Sequence, residues 1–353
     1  SKLPSDFSLA GLNYRKVTGR NAPTVINAVF NHRNFYDGRA NNLFNGVDPH
    51  GRRSNMNDPS KGIWINDGTG LRKEQVLIKN SSLASQAVGP ANNSTEMACA
   101  GRTFPLLGQK MIGRYALSNQ LVNLTDSVLR GMLNSDPRKR GLANTYGAMI
   151  QAAFQDKYWD ASGTVDGEFS QMEANFSLFW GLAIQLYEST LISNQSRFDD
   201  FARGNNAALT EQEKLGLELF VREDRGFCSS CHTGSTFTSA SVNIRAEGAF
   251  DPELEAIVAP EPFERMRMAD GNQAVYDGGF YNIGVTRSDA DLCVGADVGG
   301  IPLSYSRQAR LVADGVLAEV ADLEAGQDAV GDENDFAVVG GPVLAGERVG
   351  VDG

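Results

Sequence analysis

Between positions 168 and 192, Phe169, Met172, Phe176, Phe179, Ala183, Leu186 and Thr190 recur at three- and four-residue steps. That period places them on one side of a helix, and their aromatic content reads as core packing. It is the clearest helical signal in the chain. Helical patterning also covers 104–134 and 139–156, broken by Asp136-Pro137. A short helix is expected from Pro23 to Phe30, with Pro23 in its first turn, where a missing backbone donor does no harm. Another opens at Leu209, with Thr210 as N-cap and Glu213 closing a capping box. Leu215, Leu217, Leu219 and Phe220 are its apolar residues.

Elsewhere the pattern fades. Residues 1–20 are polar without a period, and 41 to about 80 are rich in Asn, Gly, Asp and Pro, read as a long irregular insertion. Beyond Ser239 the chain turns loop-rich, and from Ala313 to Gly353 it is acidic and rich in Gly and Val, with no closing helix. The longest apolar run, around Phe176 to Leu186, is too short to span a bilayer. No repeat of fixed period is present.

The fold class expected is mainly α, with long irregular loops. A length of 353 residues accommodates two domains. Ser193 to Asn206 is polar and contains Gly204, so the boundary is placed at 203/204, giving domains 1–203 and 204–353. Apolar residues at 41% and charged residues at 21% fit a globular chain. A net charge of −11 argues against nucleic acid as a partner and is compatible with a basic electron-transfer partner.

The candidate chemistry lies just after the Thr210 helix, in Gly226-Phe227-Cys228-Ser229-Ser230-Cys231-His232-Thr233-Gly234. A C-x-x-C-H run reads as covalent attachment of c-type haem. Two thiols at that spacing can each add to a haem vinyl group, and the adjacent imidazole can reach the iron, which makes His232 the proximal ligand. Phe237 is placed to pack on a porphyrin edge. A redox C-x-x-C and half of a zinc site are the competing readings. The first belongs beside a βαβ pattern, which is absent, and the second needs more ligands, for which only Cys99, Cys293, His32 and His50 remain. His32 and His50 read as surface residues as readily as ligands. Cys99 and Cys293 could pair in an oxidising compartment, or be two unrelated thiols. Covalent haem implies export to the periplasm, and Ser1-Lys2-Leu3-Pro4-Ser5 has no apolar leader, so the gene product is expected to start upstream.

Several blocks, in order along the chain, resemble the bacterial di-haem cytochrome c peroxidase family, which includes MauG-like enzymes. They are Gly19-Arg20-Asn21-Ala22-Pro23-Thr24, Phe35-Tyr36-Asp37-Gly38-Arg39-Ala40, Gln86-Ala87-Val88-Gly89-Pro90 with Asn93-Ser94-Thr95-Glu96-Met97, Tyr187-Glu188-Ser189-Thr190-Leu191 with Phe198-Asp199, and Leu209 to Gly234. The resemblance implies two cytochrome c-like helical domains. The N-terminal one would be the peroxidatic-haem domain, carrying the insertion at about 41–80, and the C-terminal one the electron-transfer domain. It makes Glu96 the acid–base carboxylate over the peroxidatic haem, and Asn21 a ligand of a calcium ion. Tyr36 stands where the family carries a tryptophan on the path between haems, and Asp37 with Arg39 reads as a structural pair. Met266 or Met268 is implied as the sixth ligand of the second haem. The first haem's own C-x-x-C-H is expected upstream of residue 1, and both ends are expected to be incomplete.

The activity so implied is reduction of hydrogen peroxide with electrons from a small periplasmic donor of the cytochrome c or cupredoxin type. Two alternatives stand beside it. One is a MauG-like or oxygenase-type oxidoreductase acting on a larger substrate, the other a cytochrome c that only carries electrons.

Overall fold

The computed structural model describes residues 8–9, 12–13, 21–135, 141–242, 249–251, 256–258, 263–267, 271, 273–280 and 296–317. Among these the chain is helix-rich, with small two-stranded sheets. Nine α-helices follow in order: α1 (Arg52–Asn57), α2 (Ser82–Ala91), α3 (Phe104–Met111), α4 (Tyr146–Ala153), α5 (Gln171–Ala174), α6 (Phe176–Glu188), α7 (Arg197–Ala202), α8 (Glu211–Val221) and α9 (Tyr305–Ala313). None is long and apolar enough to cross a membrane. The described residues form two compact units. One draws on the described residues within 1–63, 73–102 and 180–330, the other on those within 64–72 and 103–179.

In the first unit α2 packs closely on the later turns of α6. Gly181 makes this possible, since a Cβ there would meet the Phe44 ring at 2.9 Å and the Ala84 carbonyl at 3.1 Å. Gln185 locks the contact by accepting from Ala84 N–H at 2.9 Å and donating to Ser81 Oγ at 3.2 Å. Of the segment expected to be an irregular insertion, 41–55 is instead a buried polar cluster that ends in α1. Its asparagines turn inward: Asn45 Oδ1 accepts from Val47 and Asp48 N–H, both at 2.9 Å, and Asn45 Nδ2 donates to Gly51 O at 3.1 Å. These side chains replace the backbone bonds that an irregular buried chain would otherwise lack.

A second polar knot ties distant parts of this unit. Buried Arg33 meets Asp277 at 3.3 Å and lies between the rings of Phe280 and Tyr305, at 4.4 and 4.3 Å. Asp277 also caps α9 from outside, accepting from Tyr305 N–H at 2.8 Å and Ser306 N–H at 2.9 Å. Burial by itself would raise the Asp277 carboxyl. The Arg33 charge and the donors of Ser306 and Tyr305 outweigh it and hold the group below the usual carboxylate range.

In the second unit two side-chain amides do the joining. Gln171 donates to Trp64 O at 2.9 Å and Lys157 O at 2.8 Å, and Asn175 donates to Trp64 O at 2.7 Å and Tyr158 O at 2.8 Å. Phe154 and Phe179 meet edge to face at 4.7 Å, and a Cβ on Gly108 of α3 would lie 2.9 Å from that of Phe176.

Several expected helices come out shorter. The 168–192 helix splits into α5 and α6, because Ser170 caps at its own position and Asn175 ends the first piece. Within 104–134 and 139–156 only α3 and α4 are α-helical, each started by a threonine cap, Thr103 and Thr145. Pro23 to Phe30 keeps a single turn of 3-10 helix at Ala28–Phe30. Asn27, left-handed at φ 60°, diverts the chain there to bond Leu191 O at 3.0 Å through its backbone and Ser193 N–H at 2.7 Å through its side chain.

Candidate functional site

The chain reaches the two cysteines through α8, and both ends of that helix are pinned. Thr210 Oγ1 accepts from Glu213 N–H at 3.3 Å while Glu213 Oε2 accepts from Thr210 N–H at 2.7 Å, the reciprocal box that the sequence predicts. Arg197 adds a two-pronged contact to the same carboxylate, 2.7 Å to each oxygen. The Thr210 N–H, then Arg197 and the Thr210 hydroxyl, hold the Glu213 carboxyl down at about 2. At the other end the chain doubles back, with Phe227 N–H donating to Arg222 O at 3.0 Å. Gly226 permits this, since a Cβ would sit 2.5 Å from the Leu219 carbonyl oxygen.

Cys228–Ser230 then form one 3-10 turn, and the N–H groups of Cys231 and His232 both donate to Cys228 O, at 3.2 and 2.9 Å. Both thiols are unbridged, that of Cys228 exposed and that of Cys231 half-buried. His232 Nδ1 lies 3.1 Å from the carbonyl oxygen of Phe237. A carbonyl can only accept, so Nδ1 carries the proton and Nε2 is the ring nitrogen left to bind a metal. The sequence left this acceptor unassigned, and it could hardly do otherwise, since a backbone carbonyl has no signature. Phe227 and Phe237, on either side of the motif, hold left-handed backbone at φ 44° and 53°. Bulky residues rarely take that conformation.

Around this turn apolar side chains face outward. Leu215 is 54% exposed, Leu219 40% and Phe237 39%, and α8 buries none of its residues. Two thiols, an imidazole with Nε2 spare and an apolar wall are what a covalently attached c-type haem requires. The residues present therefore fit that group.

The other sequence-derived candidates are scattered. Glu96 lies in the turn after α2, half-buried, its N–H on Asn93 O at 3.1 Å, and among the described residues its carboxylate enters no hydrogen bond or ion pair. Tyr36 is exposed on its turn. Beside it Arg39 grips Asp37 at 2.9 and 3.0 Å and covers the Phe35 ring at 3.9 Å. Asn21 is exposed. Met266 lies on the strand Phe263–Arg267, while Met268 and Cys293 fall outside the described residues. Cys99 carries an exposed thiol. His32 and His50 are half-buried rather than surface residues, and burial pushes the His50 pKa down. Among the described residues no three His, Cys, Asp or Glu side chains converge as a metal site.

The sequence pattern described as di-haem cytochrome c peroxidase matches residues 5–207. Cytochrome c551 peroxidase of Pseudomonas aeruginosa is 27% identical over 215 residues, which are 61% of this chain and 36% of that protein. Cytochrome-c peroxidase IdrP2 of Denitromonas iodatirespirans is 37% identical over 57 residues, 16% of this chain and 15% of that protein. The chain thus spans about a third or less of the curated relatives it matches. No solved structure matches. The family match takes in Asn21, Tyr36 and Glu96 and ends before Cys228, so the haem-attachment turn is an independent observation.

Proposed function

Because the chain belongs to the di-haem cytochrome c peroxidase family, we propose that it reduces hydrogen peroxide to water with electrons from a small periplasmic donor protein. The observation that carries this reading is the 3-10 turn with two unbridged thiols and an imidazole whose Nδ1 is already committed to Phe237 O. In our reading 204–353 is the electron-receiving domain and 1–203 the peroxidatic one, both of cytochrome c type. Haem bound to such a chain supplies one-electron chemistry and a centre for O–O cleavage.

The protein's own part is positional. Cys228 and Cys231 would hold the porphyrin through thioethers, and His232 Nε2 would be the proximal ligand. Leu215, Leu219 and Phe237 would cover its faces and exclude water. Glu96 is the proton carrier: its carboxylate takes the proton from the near oxygen of peroxide and returns it to the far one, which leaves as water. Two electrons and two further protons complete the reduction of hydrogen peroxide to two waters. Tyr36 is the redox-capable side chain proposed on the electron path. Met266 or Met268 as sixth ligand, and calcium at Asn21, are carried by the resemblance alone.

Glu96→Gln in the full-length protein, loaded with both haems, tests this directly. It should lower peroxide turnover about a hundredfold, the scale of general acid–base help, while reduction of the haem at Cys228 and Cys231 by its donor stays unchanged. Wild-type turnover would remove Glu96 from the chemistry and favour a protein that only carries electrons.

A further inference from the structure

We propose that Phe198 is a positioning residue for the imidazole of His232, acting through Phe237. Three rings from three segments meet beside the motif. Phe198 of α7 lies 5.0 Å from Phe237 at an interplanar angle of 69°, and Phe220 of α8 lies 5.9 Å from it at 71°. Phe220 also stands 6.5 Å from the His232 ring. Both contacts to Phe237 are edge to face, the arrangement that favours aromatic pairs.

The backbone explains why the rings matter. Phe237 is the acceptor for His232 Nδ1, and its φ of 53° is a conformation its own Cβ disfavours. A glycine would adopt it without help, but a phenylalanine needs its surroundings to hold it there. Local hydrogen bonds contribute, from Phe237 N–H to Gly234 O at 3.2 Å and from Ser239 N–H to Cys231 O at 3.0 Å. The ring is held from outside the loop by Phe198 and Phe220.

Phe198 in turn is well placed to act as a fixed stop. Ser196 closes a capping box with Asp199, and Arg197 donates to Glu213 and, through Nε, to Ala208 O at 2.9 Å. Helix α7 is thereby tethered to the start of α8, the helix that delivers the cysteines. The Phe198 ring, the Phe237 ring, the Phe237 carbonyl and His232 Nδ1 form one continuous chain of contacts. The bond at its end fixes the tautomer and the basicity of the imidazole, and a weaker acceptor makes a weaker ligand for ferric iron. Loosening Phe198 should therefore raise the reduction potential of a haem held by His232.

This rests on the reading of His232 as proximal ligand, so covalent haem content is measured first, on denatured protein. In the haem-loaded chain, Phe198→Ala should keep full haem content, exchange the His232 Nδ1 proton with solvent at least about tenfold faster, and shift the potential upward. Phe198→Leu, which keeps most of the packing, should fall between. Unchanged exchange and potential in Phe198→Ala at native haem content would overturn the proposal. Should Phe198→Ala fail to fold, Phe198→Leu decides on the same two readouts, and wild-type values there overturn it. If the wild type carries no haem, that refutes the haem reading. The link from Phe198 to His232 is then judged by nitrogen NMR of the haem-free chain. The Nδ1–H tautomer should dominate in the wild type and lose population in Phe198→Ala, and equal populations would refute it.

Discussion

Helices α6 and α8 each carry a row of large apolar side chains, and the protein finishes them differently. Phe176, Leu178, Phe179 and Leu182 of α6 are buried by other parts of the chain. Helix α8 buries none of its residues, and Leu215, Leu219 and Val221 stand open. Apolar surface left in water forgoes roughly 25 cal/mol for each Å², a contribution that haem would recover in the function we propose. The wall ends at two thiols and an oriented imidazole. The comparison teaches that α6 is completed by protein, whereas α8 leaves its apolar wall open beside the C-x-x-C-H turn, the surface that haem covers in the function we propose.

The largest effect that could break this comparison is loss of attachment. Cys228→Ala with Cys231→Ala, matured alongside the wild type, should retain no haem after denaturation in a pyridine haemochrome assay. Equal covalent haem in both would place the attachment elsewhere. A smaller effect sharpens the contrast. Phe179→Ala removes a fully packed ring and should cost about 3–5 kcal/mol in denaturant unfolding, with or without haem. Leu219→Ala should stay within about 0.5 kcal/mol in the haem-free chain, as an exposed substitution does. It should approach about 2 kcal/mol once haem covers the side chain. Equal costs in the two states would mean that haem does not lie on α8.

How much of this could be read beforehand depended on whether the deciding contact was local. The Thr210–Glu213 box is decided within four residues and stands in the structure as the sequence places it, while the C-x-x-C-H run, read for its chemistry, folds locally as a 3-10 turn. The split between α5 and α6 was hidden because the apolar period runs through Asn175. That residue's amide is used instead to hold Trp64, 111 positions away. Asn27 likewise follows Leu191 and Ser193 rather than its own helical neighbours. The Asn-rich 41–80 stretch looked like loop by composition, yet Asn41 and Asn45 are fully buried and do the work of backbone partners. At the site, side-chain identities were legible and the Phe237 carbonyl was not.

The smallest expected effect is one of pH. Glu213, with its carboxyl held at about 2 against an ordinary 4.5, contributes stability that is present above pH 4.5 and lost as pH falls through about 2. The first turn of α8 should therefore fray across that window, followed by NMR of the Thr210 and Glu213 amides. Glu213→Gln should remove the pH dependence. No comparable window is expected in the first turn of α6, which holds no acidic residue.

Amide hydrogen exchange of the two helices in one sample tests the central claim most directly. Compared with the double cysteine variant, the haem-matured chain should slow exchange over Glu211–Val221 by about tenfold or more, while Phe176 to Leu182 exchanges at the same rate in both. Equal protection of α8 with and without haem would contradict the account.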